Sequence, residues 1–168
     1  MNQLVYASFW QRLVAHFFDN IFTGAIYKGI TIFYTDPTGI VAIIIASSYY
    51  AGFEGSSLQA TVGKQVKKLM VTDLNGERIS YLRAFARFAC MMIIPIIPAM
   101  IILVIYMLFG VYSDDLTLML YFLILFISFL FIDCLFIFIT PRKQALHDMI
   151  TGCLVLKRND DATRRLFS

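Results

Sequence analysis

Long apolar stretches separated by short polar breaks dominate the pattern of the chain. From about Phe9 to Phe33, Ala84 to Phe109 and Leu116 to Ile139, apolar residues persist for the roughly 20 positions that a bilayer-spanning helix requires. A shorter run, Ile40 to Phe53, reaches that length only by borrowing its flanks. The pattern therefore predicts an all-α membrane protein with four transmembrane helices, at about 9–33, 39–57, 84–109 and 116–139.

The breaks carry turn chemistry. Asp36-Pro37-Thr38-Gly39 predicts a short turn, Gly110 to Asp115 a polar break, and Thr140-Pro141 the end of the fourth span. Ser80 precedes the third apolar run, where its hydroxyl can cap the free amides of a new helix. Pro95 and Pro98 predict a kink within that span. Between the second and third spans, Lys68 to Asp73 alternates in strand fashion, Asn75-Gly76 favours a type I′ turn, and Glu77 to Ile79 can return. This predicts a small cytoplasmic β-hairpin in the central loop. Thr151 to Leu156 is also strand-like and is expected to pair with it.

Composition agrees with the pattern. The 168 residues are 60% hydrophobic and 15% charged, with a mean hydropathy of +0.76, whereas soluble domains are roughly 45–50% apolar and about a quarter charged. A soluble enzyme is excluded, and the lipid bilayer is the first expected partner. One membrane domain over 1–158 and a charged cytoplasmic tail over 159–168 account for the length. Met1 to Ser8 lacks Lys and Arg, and no small-x-small cleavage site follows, so the first span is expected to be retained.

The net charge of +3 is unevenly placed. All basic residues except Arg12, Lys28 and Arg87 lie in the central loop or after the fourth span, while the other two turns carry only Asp36, Asp114 and Asp115. The positive-inside rule puts the central loop and both termini in the cytoplasm, with the chain a multi-pass protein of a bacterial cytoplasmic membrane. The basic tail suits anionic lipid rather than nucleic acid, since no aromatic interleaving accompanies it.

Within the apolar background, a few polar residues stand out. Arg12, His16, Asp19 and Thr23 are spaced four, three and four apart, which keeps them on one stripe of the first helix. An ionised carboxylate at the centre of a spanning helix costs about 2.5–3.5 kcal/mol, so Asp19 is expected to face protein or water. A relay Arg12, His16, Asp19 is one reading; the other is that Arg12 snorkels, His16 packs and Asp19 locks helices by a hydrogen bond. Asp133 is the second carboxylate within a span and is expected to pair with Arg87 or Arg83. Ser48, Gly52 and Ser56 form a small-residue face on the second span. No phosphate loop, paired cysteines or adjacent nucleophile and base are present, so neither an enzyme nor a cofactor or metal site is expected.

Three segments together resemble the RDD family of small integral membrane proteins: Tyr6 to Arg12 with Asp19; Thr61-Val62-Gly63-Lys64 leading to Val71 to Gly76; and Gln144 to Met149 before Gly152. The resemblance covers nearly the whole chain. It implies that the arginine and two aspartates of the family name fall on Arg12, Asp19 and Asp148, and that Gly63 and Lys64 belong to the pattern. Gly63 would make a tight turn, and Lys64 would sit near the cytoplasmic interface, able to neutralise Asp148. The resemblance also implies transport, with cation/proton exchange among its forms.

Two functional readings result. In the first, the protein transports a small cation or other ligand, proton-coupled through Asp19, along a pathway drawn from Arg12, His16, Asp19, Asp148 and Asp133; four helices enclose little volume, so a homo-oligomer would assist. In the second, it is a non-catalytic membrane subunit or scaffold packed against a membrane-protein partner, with its buried charges as structural locks.

Overall fold

The computed structural model describes residues 5–109, 123, 133 and 135–158, apart from the side chains at 98, 99, 102, 103 and 105–109. Most of the fourth predicted span, the break at Gly110 to Asp115 and the tail from 159 onward lie outside these residues.

Helix α1, Phe9–Thr31, starts at Ser8, whose hydroxyl accepts from the Gln11 amide while the Gln11 side chain accepts from the Ser8 amide. This reciprocal pair satisfies two of the donors that every helix start leaves open. Helix α2, Ile40–Glu54, has 15 residues, a rise of roughly 22 Å against a hydrocarbon core of about 30 Å. It ends at Gly55, short of the predicted 57. A Cβ at Gly55 would fall 2.6 Å from the Tyr81 ring and 2.8 Å from the Tyr81 Cα, so α2 ends in direct contact with the start of the next long helix.

A single helical turn, α3 (Val62–Val66), and strand β1 (Leu69–Asp73) occupy the central loop. Helix α4, Tyr81–Phe109, begins where Ser80 Oγ accepts from the Arg83 amide, the predicted cap. It runs through the buried Pro95 as one helix. Residues 133 and 135–139 are helical, followed by α5 (Leu146–Thr151) and β2 (Cys153–Lys157). Gly152 links these last two at φ 64°, a left-handed conformation that a residue with a Cβ resists.

Among the described residues no helix is long and apolar enough to cross a membrane. Helix α1 has the length but carries Arg12, Asp19 and Lys28; α2 is apolar but short. The four predicted spans are thus represented by two long helices, one short helix and the helical residues at 133 and 135–139.

The predicted hairpin requires correction. Glu77 to Ile79 is not a strand; β1 pairs antiparallel with β2, Val71 opposite Val155, so the segment after the fourth span is tied to the central loop as expected. The reason lies in Asp73, whose carboxylate accepts from the Asn75 and Glu77 amides at 2.9 and 2.8 Å and closes a local turn. The other edge of β2 takes the start of the chain, with Ala7 N donating to Val155 O and Lys157 N to Val5 O. Gln59 covers β1 from the opposite side.

Ala7, Ala15, Leu69, Val71, Ile79, Ala84, Cys153 and Val155 form one buried cluster under this sheet, and Tyr49, Tyr50 and Phe88 a second between α2 and α4. Outward, α1 exposes Trp10, Leu13, Phe17, Phe18, Ile21 and Phe22. That much apolar surface on one helix needs a non-aqueous cover.

Candidate functional site

The polar residues of the apolar background converge on two adjoining sites. The first is built around Asp148 and Arg87. Asp148 lies in the first turn of α5 and is fully buried. Arg87 Nε donates to its Oδ1 at 2.7 Å, and Arg12 Nη1 donates to its Oδ2. Arg87 Nη1 also holds both oxygens of Glu54, at 2.9 and 2.7 Å, and Lys64 Nζ pairs with Glu54 from α3. His147 places Nδ1 2.7 Å from Asp133 Oδ2, while its amide donates to Asp133 Oδ1 at 3.0 Å. One ion-pair network therefore joins α1, α2, α3, α4, residue 133 and α5.

Burial alone would push the Asp148 carboxyl upward, but the charges of Arg87, His147 and Arg12 outweigh it and hold the group well below the usual carboxylate range. Burial pulls the His147 imidazole down, yet the Asp148 charge and the Asp133 hydrogen bond raise it above its ordinary value. Lys64 goes the other way: burial wins over Glu54 and lowers it. With His147 protonated, Arg12, Lys64, Arg87 and His147 balance Asp19, Glu54, Asp133 and Asp148. His147 Nε2 stands 3.3 Å from Asp148 Oδ1 and 3.2 Å from Arg87 Nη2. Protonated, it donates to Asp148; neutral, it can accept from Arg87.

The second site is Asp19, buried to 1% exposure in α1. Its partners are neutral donors. Tyr49 OH donates to Oδ1 at 2.6 Å, Thr61 Oγ1 to Oδ2 at 2.7 Å, and the Gly63 amide to Oδ1 at 2.7 Å. The Val62 amide donates in turn to the Tyr49 hydroxyl at 2.9 Å, fixing it. Gly63 is helical rather than a tight turn, and its requirement is steric: a Cβ there would lie 1.9 Å from Ala15 O and 2.9 Å from Asp19 Cγ. Its bare Cα lets α3 reach α1 closely enough for its amide to meet the carboxylate.

The sequence-derived candidates therefore come together, but with different partners. The relay Arg12, His16, Asp19 is not formed: Arg12 turns to Asp148 and the Lys143 carbonyl, His16 Nδ1 meets Tyr50 OH at 3.0 Å, and Asp19 binds its three donors. Asp133 pairs with His147, not with Arg87 or Arg83, and Arg83 is exposed. Lys64 neutralises Glu54, not Asp148. Ser48 and Gly52 are exposed, and a Cβ at Gly52 would meet nothing within 4 Å. Glu54, His147, Tyr49, Tyr50 and Thr61 were missed. Glu54 had one signal, a lone acid closing an apolar run; Thr61 and His147 lay within the segments of the family resemblance without being singled out, and Tyr49 and Tyr50 had no signal without knowledge of their partners.

Between the two sites lies a cavity of about 310 Å³. Its wall includes Arg12, His16, Asp19, Tyr50, Lys64, Arg87, Asp133 and His147, together with Phe9, Leu13, Met91 and Ile137. Among the described residues no group of three or more His, Cys, Asp or Glu is placed to hold a metal ion.

The chain is mostly helical with one small antiparallel sheet, and the family it matches makes it a membrane-associated protein. Its family is equally clear: the RDD family profile matches residues 6–152, and the chain belongs to that family. Neither the curated proteins nor the solved structures contain a match to it.

Proposed function

We propose that this RDD protein carries a small ligand across the membrane, with the cavity beside α1 as its binding chamber. The observation that carries this reading is the chamber itself: about 310 Å³ walled by oppositely charged side chains from α1, α3, α4, α5 and residue 133. Such a concave site with convergent polar groups is the usual form of a small-molecule site. The uncharged sequence from Phe88 to Phe109 and the apolar outer face of α1 support a membrane-spanning frame, with Val5 to Ala7, β1 and β2 gathered on one side.

The geometry favours a ligand held in the chamber over a cation held by Asp19. A cation wants acceptor oxygens, whereas Asp19 is ringed by an amide and two hydroxyls that donate to it. Proton-coupled exchange through Asp19 would first require these donors to leave.

The second reading, a non-catalytic subunit or scaffold, is favoured by the exposed Ser48 and Gly52 on α2, a face suited to a second membrane helix. Reconstitution separates the two. Transport predicts solute or ion flux in proteoliposomes that Arg12→Lys reduces without loss of folded protein. Absence of flux with every ion and organic solute tried, together with a stoichiometric partner in a mild-detergent pull-down, would instead establish the scaffold.

A further inference from the structure

The hydrogen bonding of the chamber wall points to the class of ligand. Asp19 and Asp133 are the carboxylates in the wall, and each of their oxygens already accepts from a protein donor. Asp148 and Glu54, which neutralise the cations, are not part of the wall. The wall cations are Arg12, Lys64 and Arg87. A cationic ligand would find the wall acceptors occupied, and an anion would find the wall cations already paired with Asp148 and Glu54, so the choice of ligand falls to any donor left unspent.

A second, independent observation comes from hydrogen-bond satisfaction. Among the described residues, the Arg12 Nε is the buried side-chain nitrogen or oxygen without a hydrogen-bond partner. Buried donors are nearly always paired, so an orphaned one calls for an acceptor. Arg12 belongs to the wall and spends its other two nitrogens on Asp148 and the Lys143 carbonyl. The remainder of the wall is apolar, with Leu13, Met91 and Ile137. Leu13 is 45% exposed, on the same outward face of α1 as Phe17.

We propose that the chamber binds an oxyanion headgroup, phosphate or carboxylate, carried on an aliphatic chain. The headgroup accepts from Arg12 Nε, with Lys64 supplying positive charge, and the chain lies against Leu13, Met91 and Ile137. The inference rests on the chamber reading above and names its ligand class. An amphiphile drawn from the bilayer and one taken from solution share this chemistry.

The test uses the full-length protein in phosphatidylcholine nanodiscs, titrated with dodecyl phosphate, dodecanoate, dodecyltrimethylammonium and inorganic phosphate. Binding is read as added mass by native mass spectrometry. The expected result is one dodecyl phosphate or dodecanoate per chain, no ammonium amphiphile, and inorganic phosphate weaker by about tenfold or more. Arg12→Lys, which removes Nε–H but keeps the charge, should weaken the anions by about tenfold. Leu13→Glu, outside the ion-pair network, should abolish their binding. Adding phosphatidylglycerol to the nanodisc displaces dodecyl phosphate if a membrane lipid is the natural source and leaves it bound if a soluble amphiphile is.

Equal binding of the ammonium amphiphile, or unchanged anion binding in Leu13→Glu, overturns the inference while leaving the chamber as a ligand site. Equal affinity for inorganic phosphate overturns its aliphatic half. If none of the probes binds, the inference and the chamber reading both fail. Anion binding without flux in proteoliposomes upholds the inference and defeats transport.

Discussion

Asp148 and Asp19 are both fully buried carboxylates, yet the chain stabilises them by opposite means. Asp148 sits among full charges, Arg87 and Arg12 with His147 beside them. Asp19 sits among dipoles, two hydroxyls and one amide. A buried ion pair suffers a large desolvation penalty, and removing one partner leaves the other charge stranded. A carboxylate held by neutral donors loses less when one contact is removed, because each contributes about 1.5–3 kcal/mol. The same charge at similar burial therefore makes a rigid junction in one place and a local clasp in the other. The junction gathers six parts of the chain, whereas the clasp joins α1 to α2 and α3.

The largest break in this comparison comes from Arg87→Met, which takes from Asp148 and Glu54 the cation they share and leaves Asp148 with Arg12 and His147 and Glu54 with Lys64. It should cost about 3–5 kcal/mol, seen as loss of the folded fraction in a denaturant titration in detergent. Gly63→Ala should follow at about 3 kcal/mol, the upper part of the overpacking range. The clash is with the Ala15 backbone oxygen, which has no rotamer to yield. Its signature is a lower midpoint in the same titration. Asp19→Asn turns one acceptor into a donor facing donors and should cost about 2 kcal/mol. Tyr49→Phe, which removes one donor from Asp19 and leaves the Val62 amide without its acceptor, should cost about 1.5 kcal/mol by the same measurement.

The smallest effect is the pH dependence of the junction. His147 has a folded pKa raised above 6.5, so its contribution is complete below pH 6.5 and is lost as pH rises through the folded value. Asp148 acts on the acid side: its contribution is present above pH 3.8 and is lost as pH falls through its depressed folded value. Lys64, lowered from 10.5, opposes His147 on the alkaline side, since losing its proton relieves a burial penalty. Melting temperatures at constant ionic strength should decline above pH 6.5, and His147→Gln should flatten that decline.

The sequence made the membership of the site more legible than its wiring. Arg12 and Asp19 stood out because charge within an apolar helix is costly, and Asp148, Gly63 and Lys64 came from the family resemblance. Their partners depended on tertiary approach. Nothing local to Lys64 distinguishes Glu54 from Asp148 as its counter-ion, and Asp133 had no sequence reason to prefer His147 over Arg87. The sheet shows the same division. Alternation located β1, and the strand-like 151–156 located β2, but Asn75-Gly76 favoured a hairpin that the Asp73 side chain replaced with a local turn. Glu54 was overlooked because it closes an apolar run, where an acid reads as a boundary until Arg87 and Lys64 are seen to enclose it.

The central claim is that the charged junction holds the tail and central loop against the helices, while the Asp19 clasp acts only locally. Amide hydrogen exchange of the folded protein in nanodiscs tests it most directly, comparing Asp148→Asn with Asp19→Asn. The account predicts that Asp148→Asn accelerates exchange at the β1 and β2 amides of the facing pairs Met70–Leu156 and Thr72–Leu154, while Asp19→Asn accelerates exchange chiefly at Val62 and Gly63. Unchanged sheet protection in Asp148→Asn, or the same exchange pattern in both variants, would contradict it.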